Sequence, residues 1–257
     1  MSGSFDGKHV LVTGASRGIG YGVAEAFARE GAQVTLLADD AAVTEAAQRL
    51  AEHTGTETAA LRCDISDRAA VREALSSLGR VDVLVNNAGL ERITPLLEPG
   101  EEAEETFRRI IDINVLGTYY VTRETVPLMP RGGRIVMTSS IWGRTAVAEF
   151  GAYCASKHAV IGFMRSLAHE LAPSGITVNA VCPGWVRTAA SMRSLQAMAE
   201  RGEVAPEALL DEIVGAQALP GLMEPADVAG AYLFLAGPQA ASVTGQTLNV
   251  DRGEQMC

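Results

Sequence analysis

Tyr153 and Lys157 stand four residues apart in Tyr153-Cys154-Ala155-Ser156-Lys157, so on a helix they share one face. A phenol titrates near ~10 and is a weak proton donor or acceptor at neutral pH. A neighbouring ammonium favours the phenolate and lowers that value, which makes Tyr153 a candidate general acid–base. Upstream, Ser139-Ser140 closes an apolar run. The Ser140 hydroxyl is suited to hold a substrate oxygen. Alone, Tyr-x-x-x-Lys is common on surface helices, so its meaning depends on what else the chain carries.

A second group of residues points to a dinucleotide. Thr13-Gly14-Ala15-Ser16-Arg17-Gly18-Ile19-Gly20 follows one apolar run and leads into helical spacing. Its glycines permit a tight turn, a close approach of backbone to pyrophosphate, and close packing of helix on strand. The helix N-terminus then offers free N–H groups to phosphate. A second apolar run ends in Ala38-Asp39-Asp40. Asp39 there would accept the ribose hydroxyls of NAD and repel the 2′-phosphate of NADP. The other reading is an acid pair opening the next helix, and one Asp can do each. Arg17 pulls the opposite way, since a guanidinium in the glycine loop can pair with a 2′-phosphate. Asp64 and Asn86-Asn87-Ala88-Gly89 also close apolar runs, though amide-rich turns are common structural devices.

These residues need elements to position them. Apolar runs predict strands at 8–13, 33–38, 56–62, 81–85, 133–139, 176–181 and 246–250. Helical spacing predicts helices at 18–29, 42–53, 67–78, 101–129, 152–172 and 225–235, with short helices near 190–200 and 206–218. The acidic stretch from Glu98 to Glu105 reads as a solvated first helical turn. Strand and helix alternate with no linker or repeat. That pattern predicts an α/β fold: one doubly wound parallel sheet of about seven strands with helices on both faces, a single domain spanning 1–257. Its ligand site should lie at the carboxyl ends of the strands, where the residues above fall.

Composition narrows the partners. The chain has 257 residues, 21 Lys plus Arg against 31 Asp plus Glu, and a net charge of −10. This excess of acid disfavours nucleic acid and anionic membranes. No apolar run reaches the length of a membrane-spanning helix. Cys63, Cys154, Cys182 and Cys257 are far apart, with no metal-ligand spacing and no disulfide framework, so no metal is expected. The N-terminus runs almost directly into a strand, which argues against a signal peptide. A reduced cytoplasmic protein is the expectation.

The combination Thr13–Gly20, Asn86–Gly89, Asn114, Ser140, Tyr153-x-x-x-Lys157 and Pro183-Gly184-Trp185-Val186-Arg187-Thr188 resembles the short-chain dehydrogenase/reductase family. The resemblance runs from Gly7 to about Gly253. It implies hydride transfer between a nicotinamide cofactor and an alcohol or ketone. By that resemblance Ser140 holds the substrate oxygen and Tyr153 moves the proton. Lys157 holds the nicotinamide ribose and lowers the Tyr153 pKa. Asn114 places a water in a proton relay. Asp64 contacts the adenine, Asn87 and Gly89 lie beside the adenosine ribose, and Thr188 touches the carboxamide. Gly14, Ser16, Arg17, Gly18, Ile19, Gly20, Asp39, Ile65, Ala88, Pro183, Gly184 and Val186 complete the implied cofactor site.

Three departures stand out. NAD-using relatives usually carry the ribose acid one place earlier, at Ala38, and NADP-using relatives often have a basic residue at Asp39. NAD remains the expected cofactor, with NADP the alternative. The last strand runs into Val250-Asp251-Arg252-Gly253 where the family has Asp-Gly-Gly, so Arg252 adds bulk. The chain stops at Cys257, without a tail to cover the pocket.

The resemblance builds pocket walls from the segments after the fourth, fifth and sixth strands. Glu91, Trp142, Arg144 and Trp185 are the candidate substrate residues, with Arg144 suited to a carboxylate. Such a wall suits a sugar, polyol or hydroxy acid, although charged residues there also form ordinary surface pairs. Residues 185–223 are expected to form a mobile lid. Apolar residues on more than one face of the two long helices suggest a homodimer or tetramer. Two other readings remain: an NADPH-dependent ketoreductase of acyl, polyketide or cyclic ketones, and a non-catalytic dinucleotide sensor.

Overall fold

The computed structural model describes residues 3–98 and 101–256. Seven strands form one all-parallel sheet: β1 (His9–Thr13), β2 (Gln33–Ala38), β3 (Thr58–Arg62), β4 (Val83–Asn86), β5 (Arg134–Thr138), β6 (Thr177–Pro183) and β7 (Thr247–Val250), in the order β3-β2-β1-β4-β5-β6-β7. β1 pairs with β2 on one side and β4 on the other. The chain reverses direction across the sheet between β1 and β4, which opens a crevice at their carboxyl ends.

Strand side chains alternate between faces, so each face collects its own core. Val10, Val12, Val34, Leu36, Val83, Val85 and Val136 pack under α1 (Gly18–Arg29), α2 (Ala42–Thr54) and α9 (Pro225–Ala236). Leu11, Leu37, Leu84, Ile135, Met137 and Val178 face α3 (Arg68–Leu75), α5 (Thr118–Thr125) and α6 (Gly151–Glu170). The remaining helices are α4 (Glu102–Ile111), α7 (Ala189–Arg201) and α8 (Pro206–Gly215). A single α/β domain of Rossmann type results.

The segment expected as one helix over 101–129 is helical but not uniform. A π-helical stretch, Asp112–Gly117, joins α4 to α5, and a 3-10 turn, Val126–Leu128, ends the run. Gly117 lies against Ile65, whose Cγ1 would stand 2.6 Å from a Cβ at that position. The wide turn seats the helix on the loop after β3. Glu102, Glu104 and Glu105 do occupy the first turn of α4, whereas Glu98 pairs with Arg201. Residues 99 and 100 of that acidic stretch lie outside the described residues. The helix expected over 67–78 runs from Arg68 to Leu75: Asp67 stands outside it as its cap, accepting from the Ala69 and Ala70 amides, and it ends at Ser76.

Candidate active site

The carboxyl ends of β1, β2, β3 and β4 border a cleft of about 400 Å³. Its wall includes Gly14, Ser16, Arg17, Gly18, Ile19, Asp39, Asp64, Ile65, Asn87, Ala88, Gly89, Tyr153, Lys157 and Thr188, all expected from the sequence. A smaller cavity adjoins it at Ile19, Glu91, Thr138, Tyr153 and Thr188. Its wall adds Ser140, Trp142, Pro183, Gly184, Trp185 and Val186. Leu90, Ala189, Ala190 and Ser191, from the segments expected to form pocket walls, also line these spaces, whereas Cys63, Ile113 and Thr138 line them and were missed. Most follow strand ends, a positional signal that ordinary residue types do not advertise.

The glycine loop is built for close approach. Gly14 and Gly18 are left-handed, at φ 63° and 59°. Gly20 lies beneath the loop rather than on the cleft wall: a Cβ there would stand 2.3 Å from the Gly14 carbonyl. Arg17, the cap of α1, is extended and contributes no side-chain hydrogen bond to the helix end. The first N–H groups of α1 therefore remain available to an anion. Asn87 keeps the crevice in shape. Its Nδ2 donates to the Thr13 and Gly14 carbonyls, while the Asn87 and Ala88 amides donate to Thr13 Oγ1. A glycine cradle below an uncapped helix end fits the pyrophosphate of a nicotinamide dinucleotide.

The two acids after β2 divide their labour. Asp40 accepts from Ser16 Oγ at 3.1 Å, Arg17 Nη1 at 2.6 Å and the Ala42 amide at 3.0 Å, tying the glycine loop to the start of α2. Asp39 is exposed on the cleft wall, and Arg62 bonds only its backbone carbonyl. Asp64 accepts from Arg109 and Ser66. Burial works against its charge, but those hydrogen bonds outweigh it and hold the carboxyl below the usual range.

The catalytic candidates converge from three elements. Ser140 follows β5 and caps a 3-10 turn, Ile141–Gly143, accepting from the Trp142 amide. Tyr153 and Lys157 lie in the first turns of α6. The Lys157 ammonium stands 5.4 Å from the Tyr153 ring centre and donates to the Thr138 carbonyl at 2.9 Å. Asn114, in the π-helical turn and 1% exposed, accepts from the Leu90 amide at 2.7 Å. Its Nδ2 donates to the Leu90 carbonyl at 3.0 Å and Ser156 Oγ at 2.9 Å. Asn114 thus clamps the loop after β4 to α6.

Two expectations change here. The Tyr153 pKa stands above its ordinary value, not below it. Burial first, and then the charge of Glu91, push the phenol well above its ordinary value, against the opposing influence of the neighbouring Ser140 hydroxyl. Burial also pushes the Lys157 ammonium down to about 8, against the opposing charge of Glu91. For both groups the loss of hydration outweighs the attraction between neighbours. Arg144 also departs from its expected place. It lines neither cavity, and its Nη1 donates to Asn249 Oδ1 at 2.9 Å. The pairing of β7 with β6 brings Asn249 within reach.

The surrounding loops are cross-tied. Arg201, the last residue of α7, pairs with Glu149 and Glu98, from the loops after β5 and β4. Arg252, at φ 55°, donates to the Pro220 carbonyl at 2.7 Å, and its backbone carbonyl accepts from Leu219. Its extra bulk therefore fastens the end of the 185–223 segment. That segment contains α7 and α8, as expected.

A family profile described as Enoyl-(Acyl carrier protein) reductase matches residues 14–255. The chain belongs to the short-chain dehydrogenase/reductase family. It is 39% identical to oxidoreductase UcpA of Salmonella typhimurium over 262 residues, covering 99% of this chain and 97% of that protein. It is 38% identical to a sorbitol dehydrogenase of Cereibacter sphaeroides over 259 residues, covering 98% of each. Among solved structures, L-sorbose reductase from Gluconobacter frateurii, complexed with NADPH and L-sorbose, superposes with a TM-score of 0.89 at 27% identity, covering 100% of both chains. This short-chain dehydrogenase/reductase is an NAD(P)-dependent oxidoreductase acting on CH–OH and C=O groups. No helix among its described residues is long and apolar enough to cross a membrane.

Proposed function

We propose that the protein interconverts a secondary alcohol and a ketone on a polar, hydroxylated substrate, with NAD as its cofactor. The observation that carries this reading is the convergence of Ser140, Tyr153 and Lys157 where the two cavities join. The glycine loop, Asp39, Asp64 and the uncapped end of α1 would hold the dinucleotide, which when bound supplies or accepts the hydride at the substrate carbon.

The side chains handle the oxygen and its proton. Ser140 holds the substrate oxygen by hydrogen bonding. In reduction the Tyr153 phenol donates its proton to that oxygen, and in oxidation the phenolate takes the proton back. The raised phenol pKa keeps Tyr153 protonated and suits the donor role. Lys157, held by the Thr138 carbonyl, places positive charge near the phenolate left behind. A Cβ at Gly89 would lie 3.3 Å from Lys157 Nζ and 3.4 Å from Asn114 Oδ1. Glycine thus leaves room between them for the relay water that returns the proton.

Asp39 supports NAD. Its carboxylate faces the cleft, while the guanidinium of Arg17 is already paired with Asp40. The polyol and sugar names of the sorbitol dehydrogenase and L-sorbose reductase support a hydroxylated substrate. Tyr and Lys are four apart here, whereas enoyl reductases place the Lys farther away, which favours carbonyl chemistry over double-bond reduction. Exposed Phe107, Leu116 and Tyr119 on the α4–α5 segment support assembly into dimers or tetramers.

The test is a panel of alcohols and ketones run with NAD and with NADP, comparing kcat/KM. NAD-linked turnover that Tyr153→Phe abolishes is expected. Dinucleotide binding without turnover would favour a sensor, and strong NADP preference would overturn the role of Asp39.

A further inference from the structure

The smaller cavity carries one formally charged side chain, Glu91. It also borders the larger cleft, so it stands at their junction beside Tyr153. The reaction as proposed gives this carboxyl no part. We propose that Glu91 is the specificity residue of this active site, gripping a second hydroxyl of a polyol or hydroxyketone beside the reacting carbon. This rests on the alcohol–ketone reading above and deepens it.

The chemistry of the wall supports the assignment. A carboxyl has two oxygens and about four acceptor sites. Ser194 of α7 stands close enough for its hydroxyl to favour the charged form of Glu91. The charges of Lys157, Arg92 and Arg193 also favour ionisation, yet burial outweighs them all and raises the pKa. A half-buried carboxyl on a cavity wall is stabilised by hydrogen-bonding partners. A vicinal hydroxyl both donates and accepts, so it satisfies either protonation state. Across the same cavity, Trp142 lies edge-on to Trp185 at 5.9 Å and to Tyr153 at 6.0 Å. Flat aromatic walls beside one polar anchor suit the C–H faces and hydroxyls of a sugar-like chain.

A competing role is electrostatic. Glu91 raises the Lys157 pKa, and in that role it would serve only to keep the ammonium charged. Substrate discrimination separates the two. A site built to hydrogen-bond a hydroxyl rejects the analogue lacking it by on the order of 10²-fold or more. An electrostatic role slows every substrate alike.

The experiment uses the full chain with its dinucleotide and a C4–C6 panel of polyols, each paired with its deoxy analogue. Wild type is expected to prefer the polyol in kcat/KM by on the order of 10²-fold or more. In Glu91→Leu that ratio collapses toward one, and in Glu91→Gln, which keeps hydrogen bonding, much of it returns. Dinucleotide fluorescence titration confirms that each variant is folded. Equal losses on both members of every pair, with the ratio intact, overturn the proposal and assign Glu91 to Lys157. Wild type turning over polyols and deoxy analogues equally overturns it while leaving the alcohol–ketone reading in place. Wild type turning over neither, yet active on the wider alcohol and ketone panel, also overturns it; inactivity on both panels means that the alcohol–ketone reading itself has failed.

Discussion

Replacing Asn114 with Ala tests how the π-helical turn supports the active site. The substitution removes three hydrogen bonds, of 2.7, 3.0 and 2.9 Å, made by a side chain 1% exposed. Ser156 Oγ keeps a partner, since it donates to the Tyr153 carbonyl. Both backbone groups of Leu90 lose theirs. Three bonds at about 1 kcal/mol each come to about 3 kcal/mol. In a domain of this size 1 kcal/mol moves the midpoint by about 2–4 °C, so Tm should fall by about 6–12 °C. Calorimetry or dichroism at fixed protein concentration measures it. The released loop carries Glu91, so kcat/KM should also drop at least tenfold while the unfolding transition stays cooperative. A Tm within about 2 °C of wild type would refute the clamp, because it would mean that Leu90 finds other partners without cost.

Four further outcomes follow from the geometry. Gly20→Ala should abolish dinucleotide binding in fluorescence titration, since its Cβ would press on the Gly14 carbonyl and Asn87 Nδ2 at 2.3 and 2.5 Å. Asp39→Ser should raise kcat/KM for NADP relative to NAD by at least tenfold, by removing the charge that faces the 2′-phosphate. Lys157 titrates near 8 in the native protein against an ordinary 10.5. Between those values the unfolded chain binds the extra proton, so wild-type stability gains on the order of 3 kcal/mol as pH rises. Denaturant titrations of Lys157→Met across that range should lack this part of the slope. Arg201→Ala should leave Tm nearly unchanged, because its ion pairs are exposed, yet raise substrate KM severalfold by freeing the end of α7.

The sheet was legible because its signals are local. Short apolar runs such as Val83–Asn86 and Thr177–Pro183 pass through a buried parallel sheet and need no long-range information to recognise. The long helix after β4 was legible in extent but not in geometry. Nothing in Asp112–Gly117 announces a π turn, which depends on how Gly117 seats against Ile65 across the fold. Arg144 was misplaced for a similar reason. Its position after β5 suggested the pocket, but a partner 105 residues away drew it to β7.

The sequence by itself determined the alternation of strands and helices, the glycine loop, and which residues could move a proton. Spacing of three or four residues carries that information, because it acts within one turn or one strand. Only the tertiary structure decided the electrostatics. Tyr153 and Lys157 share a helix face from sequence alone, yet their pKa values follow burial among elements far apart in the chain. The division of labour between Asp39 and Asp40 likewise awaited the position of Arg17. Desolvation and ion pairing depend on everything within a few ångströms, and the chain folds those neighbours in from all along its length.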